Sequence, residues 1–333
     1  MKQILLAHGG GGEETRELIE GIFRRYLSNA FLDRFEDSAI LDIPDGGIAF
    51  TTDSFTVSPL FFNGGNIGKL AVAGTVNDLS VMGARPLFLS AGFIIEEGFL
   101  IEDLERILQD MREETEKTGV MVVTGDTKIM PRGQLNGVII NTSGIGELLY
   151  RGLSASNLNI EDGIIVTGTV GDHGACILAE REGMGFELDI SSDCASLWEI
   201  LKEVLDSGAE IHAMRDPTRG GLAAVLNEWA TASGTEIEIL EHEIPVEGSV
   251  RGICELLGME TTHLASEGRA VIAVKNGDEG TVLDSLRNHP LGKGARLIGS
   301  VTDRGKKRVI LRSPYNTRRI MEPPSGELLP RIC

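Results

Sequence analysis

The chain has 333 residues, 41% of them hydrophobic and 24% charged, enough for two domains that each bury a core. Its formal net charge of −19 argues against nucleic-acid binding, which needs a basic face, and fits carboxylates gathered around cations. Glycine is abundant at 42 residues and aromatics stand at 5%, so tight backbone turns rather than aromatic pockets are expected.

The first apolar run, Ile4 to Ala7, is too short for a signal peptide, and no stretch approaches the ~20 apolar residues of a membrane span. Gly9-Gly10-Gly11-Gly12 follows, directly before helical spacing over Glu13–Tyr26. Amides freed by glycine at a helix start bind phosphate, but the Lys-Ser/Thr ending of a Walker loop is missing and a plain linker reads the same. Strands are expected at Ala39–Ile43 and Gly47–Thr52, a buried helix at Lys69–Met82 and a strand at Phe88–Ile95. An amphipathic helix over Ile101–Thr118 and strands at Met121–Thr124 and Gly137–Gly144 close the first half.

The aperiodic segment Tyr150–Asp162 marks the boundary between expected domains 1–150 and 151–312. Beyond it the pattern gives strand Ile164–Gly168 and helices from His173, over Ala195–Leu205 and over Pro217–Ala232. Strands Glu236–Leu240 and Ala270–Val274, helix Asp278–Asn288 and strand Arg308–Leu311 complete the second half. Helices and strands without regular βαβ alternation favour an α+β class. From Ser313 to Cys333 the prolines at 314, 323, 324 and 330 exclude a helix or central strand. The expectation is a semi-extended arm of about 20 residues with a reach of at most about 70 Å. Its terminal thiol reads either as a carrier or as a frayed end.

Three aspartates stand out in the first half. Asp53 and Asp126 follow strands, and Asp78 interrupts an apolar helix, where a carboxylate is costly unless compensated. Oxygen ligands of this kind suit Mg2+ bridging to phosphates, so a metal–nucleotide site is expected. In the second half, Arg215-Asp216-Pro217-Thr218-Arg219-Gly220-Gly221 reads equally as a helix cap or a phosphate contact. Glu267 on its own reads as a solvated turn residue. Gly168 to Gly174 does not give the GxGxxG spacing of a dinucleotide site. The cysteines at 176, 194, 254 and 333 form no CxxC pair, so neither a disulfide framework nor a structural metal is expected. Cys176 and Cys254 lie in apolar helical stretches and read as buried and inert. A cytoplasmic setting fits reduced thiols.

TTDSFTVSPLFF, GKLAVAGTVNDLSVMGARP, VVTGDTK, HAMRDPTRGGLA and the final GELLPRIC together resemble the hydrogenase maturation factor HypE family. That family is a branch of the superfamily of aminoimidazole ribonucleotide synthetase, selenophosphate synthetase and thiamine-monophosphate kinase. The resemblance runs in order through both halves and the tail. It implies a two-domain PurM-like fold: an N-terminal α+β domain that binds ATP and dimerises through its sheet, a C-terminal α/β sandwich, and an extended tail over 313–333. It implies ATP-dependent dehydration of a carbamoylated Cys333 to a thiocyanate, supplying cyanide to the NiFe hydrogenase iron.

By the same resemblance Asp53, Asp78 and Asp126, with Asp216, would hold Mg2+. Gly9, Gly10, Gly11, Gly12 and Asn77 would contact nucleotide. Lys128 would assist catalysis, and Glu267 is the candidate base. A homodimer, the carbamoyltransferase HypF and a HypC–HypD acceptor are the implied partners. The chain departs from relatives at Asn66, where an acidic residue is usual. Cys333 beside its own terminal carboxylate is not expected to be an unusually acidic thiol, which suits a thiol loaded by a partner enzyme. A small-molecule kinase or synthetase of the same superfamily, and a non-enzymatic dimeric thiol carrier, are the alternatives.

Overall fold

The computed structural model describes residues 3–9, 17–32, 46–181 and 189–323. The expected strand Ala39–Ile43, the glycines Gly10, Gly11 and Gly12, and Cys333 lie outside them.

The first sheet has strand order β1-β6-β4-β5. It consists of β1 (Gly47–Phe55), β4 (Ala84–Glu96), β5 (Met121–Met130) and β6 (Val138–Leu148). β4 and β5 run parallel and the other pairs antiparallel. Short β2 (Phe61–Phe62) and β3 (Gly65–Asn66) form a separate hairpin. Along β1 the exposed positions are Ile48, Phe50, Thr52 and Ser54 and the alternate ones turn inward, the period-two signature of a sheet with one open face.

The covered face receives the helices. A helical stretch through Ile19–Phe23 continues as α1 (Arg24–Leu27). It is followed by α2 (Ile67–Val81) and α3 (Ile101–Thr118). α2 is apolar on nearly every side because it is packed on nearly every side, by the sheet, by α3 and by the second half. Gly68 allows that approach: a Cβ there would sit 2.2 Å from the Ile107 carbonyl oxygen on α3. Asn66 starts α2, its Oδ1 accepting the amides of Gly68 at 2.7 Å and Lys69 at 3.2 Å.

The second sheet has seven strands in the order β13-β12-β9-β11-β7-β10-β8. These are β7 (Gly163–Val166), β8 (Ile211–Arg215), β9 (Thr235–Leu240), β10 (Val271–Val274), β11 (Arg296–Arg304), β12 (Arg308–Arg312) and β13 (Arg318–Ile320). The intervening helices are α4 (Asp172–Glu180), α5 (Trp198–Asp206), α6 (Gly221–Ser233), α7 (Gly248–Leu257) and α8 (Glu279–Asn288). α5 and α8 cover one face and α6 the other, each over its own apolar cluster. α4 and α7 instead join the core of the first half, so Cys176 and Cys254 are buried in the same apolar cluster as Leu70, Ile107 and Met111.

Several sequence expectations shift. Asp53 and Asp126 sit inside longer strands rather than after them. The helix expected from Pro217 begins at Gly221 with Gly220 before it, so Asp216 does not cap it. β11 escaped the pattern because register shifts after Leu297 and Val301 break its alternation. The arm also begins later than Ser313. Ser313–Thr317 closes a turn and β13 pairs with β12 at the sheet edge, where proline density is tolerated. Met321 then plugs the second core at 4% exposure.

Candidate active site

Asp53 on β1 packs across Gly74 of α2, its Oδ2 4.0 Å from where a Cβ at Gly74 would stand. One helical turn further along α2 lies Asp78, whose Oδ2 accepts the Thr51 hydroxyl at 2.7 Å. Burial pushes the Asp78 carboxyl up. Thr51 resists that shift, and the charge of Asp53 reinforces it. Asp53 is likewise raised by burial, against the Ser54 amide and the Arg219 guanidinium.

The second half adds two acids to the same field. Asp216 directly follows β8 and is 6% exposed; burial, then the charge of Asp78, pushes it up to about 7. Glu267, in the turn before β10, is 2% exposed and lies well above the usual carboxylate range. Burial is the main cause, followed by the charges of Asp216, Asp193, Asp53 and Asp78. Its Oε1 has no hydrogen-bond partner among the described residues. A buried, unpartnered carboxyl oxygen facing four other acids is costly in isolation and suited to receiving a proton.

Asp193 is the member that sequence reasoning missed. Its side chain is 1% exposed and its pKa rises to about 6, through burial opposed by Arg269. Ser191-Ser192-Asp193 reads as an aperiodic polar loop, so no local signal marks it.

Asp126 and Lys128 are not brought to this cluster. The sheet register aligns Asp53 with Thr142, Ala91 and Gly125, whereas Asp126 aligns with Gly92, Asn141 and Ser54. Residues in one cross-strand row share a face, so Asp126 lies on the open face, opposite Asp53. Lys128, two residues on, lies on the open face too, and both are exposed. Gly9 ends the turn Leu6–Gly9.

Asn77, expected to contact nucleotide, is fully buried and structural in its contacts. Its amide donates to the carbonyls of Ala195 at 3.1 Å and Glu267 at 3.2 Å, and its Oδ1 accepts the Leu197 amide at 2.8 Å. Asn66 is also occupied. Its Oδ1 caps α2 and its amide nitrogen donates to Asp110 at 2.7 Å.

Among the described residues no three His, Cys, Asp or Glu side chains form a ready metal cage. Mg2+ does not require one, since it is commonly held by one or two carboxylates together with substrate phosphates. The all-oxygen pair Asp53 and Asp78, both raised by burial and Asp78 also by the charge of Asp53, fits that mode. Asp126, on the opposite face of the sheet, does not join that pair within one chain.

Models of the AIR synthase related protein family match this chain over residues 35–148, for the N-terminal domain, and 159–312, for the C-terminal domain. "Carbamoyl dehydratase HypE" of Escherichia coli (strain K12) is 45% identical, covering 100% of both chains. The crystal structure of a hydrogenase maturation protein HypE in complex with ATP superposes with a TM-score of 0.94 at 42% identity, covering 99% of this chain and 100% of that one. A HypE from a HypE–HypF complex gives 0.81 at 45% identity, over 92% and 99%.

Proposed function

The chain belongs to the AIR synthase related proteins and, within them, to the HypE carbamoyl dehydratases, and from that membership we propose how its residues divide the reaction. It is an ATP-dependent carbamoyl dehydratase of hydrogenase maturation. Dehydrating R–S–C(=O)–NH2 requires oxygen to leave, and oxide is a poor leaving group. Transfer of the γ-phosphoryl of ATP to the carbamoyl oxygen, with loss of one N–H proton, gives R–S–C(OPO3)=NH and ADP. Loss of the second N–H proton with departure of phosphate leaves R–S–C≡N.

We assign Asp53 and Asp78 to the polyphosphate end, where Mg2+ would neutralise charge on the transferring group. Glu267 takes a proton from nitrogen. The observation that carries this reading is its buried, unpartnered Oε1, an acceptor whose proton affinity burial and the neighbouring acids raise. Enclosure of that carboxyl keeps water from competing for the phosphoryl group. Cys333 is the tethered thiol that bears the carbamoyl group, HypF the enzyme that loads it, and HypC–HypD the acceptor of the cyano group. Asp126 and Lys128, on the open face of the first sheet, serve a site in this reading only when a second copy closes over that face. The cytoplasm suits the three buried free cysteines.

The test is intact mass at Cys333 after incubation with carbamoyl donor, transferase and ATP. Addition of a carbamoyl group followed by loss of one water is expected, and neither change in Cys333→Ala. A Cys333→Ala chain that still gains the modification removes the tail thiol from the reaction.

A further inference from the structure

Glu267 belongs to the second half of the chain and Asp78 to the first, yet the reaction requires phosphoryl transfer and proton removal at one carbamoyl group. The hub between them is residues 193–197, of which Cys194 and Leu197 are buried and the others partly so. Asn77, next to Asp78 on α2, holds Ala195 and Glu267 by their carbonyls and Leu197 by its amide. Glu114 of α3 accepts the Ser196 amide at 2.9 Å. From the other side, Asp193 Oδ1 accepts the Glu267 amide at 3.1 Å, and the Ala195 amide reaches the Glu267 carbonyl at 3.4 Å. Gly268 closes the contact: a Cβ there would fall 1.9 Å from the Asp193 carbonyl oxygen.

We propose that Asn77 is a positioning residue, a strut that fixes the backbone of Glu267 relative to Asp78 so that proton removal keeps pace with phosphoryl transfer. All three of its side-chain bonds run between the halves, and the residue is fully buried. One residue of α2 thus sets the carboxylate at the phosphates, and its neighbour sets the backbone that carries the base. The proposal rests on Glu267 being that base.

A strut that slips separates the two steps. The phosphorylated group then waits for its base, and water returns it to carbamoyl and phosphate, so phosphate is released without thiocyanate. A variant that is merely less stable lowers both products together and leaves their ratio at one. The experiment is single-turnover phosphate release and thiocyanate yield on the carbamoylated full-length chain, with ATP affinity measured in parallel. Asn77→Ala removes all three bonds. Asn77→Asp, close to isosteric, keeps the acceptor for Leu197 and loses both donors, and covers the case in which the alanine variant does not fold.

Phosphate per thiocyanate is expected to rise at least about threefold in each folded variant, with ATP affinity within about twofold of wild type. Glu267→Gln is expected to show the same rise. A ratio of one in the folded Asn77 variants, with a raised ratio in Glu267→Gln, overturns the strut alone. A ratio of one at wild-type rate in Glu267→Gln overturns the base assignment and the strut with it. A loss of ATP affinity beyond tenfold in Asn77→Asp overturns the strut in favour of a nucleotide contact.

Discussion

At the scale of single residues, the site is governed by carboxylic acids held where water cannot solvate their charge. Asp216 is the clearest case, raised from 3.8 to about 7. The folded chain therefore keeps a proton that the unfolded chain has already released. The stability tied to that proton is complete below about pH 4 and lost as pH rises through about 7. Each pKa unit is about 1.4 kcal/mol and the rise is about three units, so the effect is on the order of 4 kcal/mol. Asp216→Asn should accordingly be more stable than wild type at pH 8 relative to the same comparison at pH 5. Urea unfolding of both chains without nucleotide or metal checks this, and a pH-independent difference would show that Asp216 ionises freely. Mg2+ with ATP is expected to narrow the gap at pH 8 by compensating the ionised cluster.

At the scale of elements, the β12–β13 hairpin decides where the arm begins. Arg318 reaches Glu238 at 2.6 Å and Glu236 at 3.5 Å, and Arg319 reaches Glu241 at 3.0 Å and Glu260 at 3.4 Å. The Arg319 pairs are exposed and contribute roughly 0–1 kcal/mol each. Met321 contributes more: it is buried, its carbonyl accepts Asn227 at 3.0 Å, and its amide bonds Val309. Only the residues after Met321 remain for the arm, a contour of about 40 Å rather than about 70 Å. Met321→Ala should cost about 2–4 kcal/mol. It should also speed amide exchange at Arg319 and Ile320 more than that at Ile237 in β9. Equal protection in mutant and wild type would mean that the hairpin needs no plug.

At the scale of the whole molecule, the open face of the first sheet carries Phe50 at 68% exposure, with Ile48, Ile94 and Met121 also exposed. An apolar sheet face of this kind is a liability for a lone chain and an asset for a pair. We propose that two copies meet there, which would also bring Asp126 and Lys128 into an interface. Phe50→Glu should shift a homodimer towards monomer in sedimentation analysis, with the helical circular dichroism retained. An unchanged oligomeric state would point to another face.

Much of this was legible in the chain itself. The apolar run of α2, the amphipathic face of α3 and the alternation in β1 are local patterns, and each produced its element. Asp78 was conspicuous because it breaks an apolar helix, and the motif order identified the family. Other features depend on which strand pairs with which. A one-residue difference in register puts Asp126 on the opposite face from Asp53, and no spacing within either strand reveals it. Burial from another part of the chain turned Glu267 from a plausible turn residue into a raised acid, and it also produced Asp193. The same packing buries Asn77, expected to contact nucleotide, in bonds to the second half, and it makes Asn66, where an acidic residue is usual, a helix cap. Periodicity and motif are properties of neighbours in sequence, so sequence determined the regularly patterned elements, the family and the chemistry it serves, but not β11 or β13. Electrostatic field, face and desolvation are sums over neighbours in space, so only the tertiary structure decided which acids share a site.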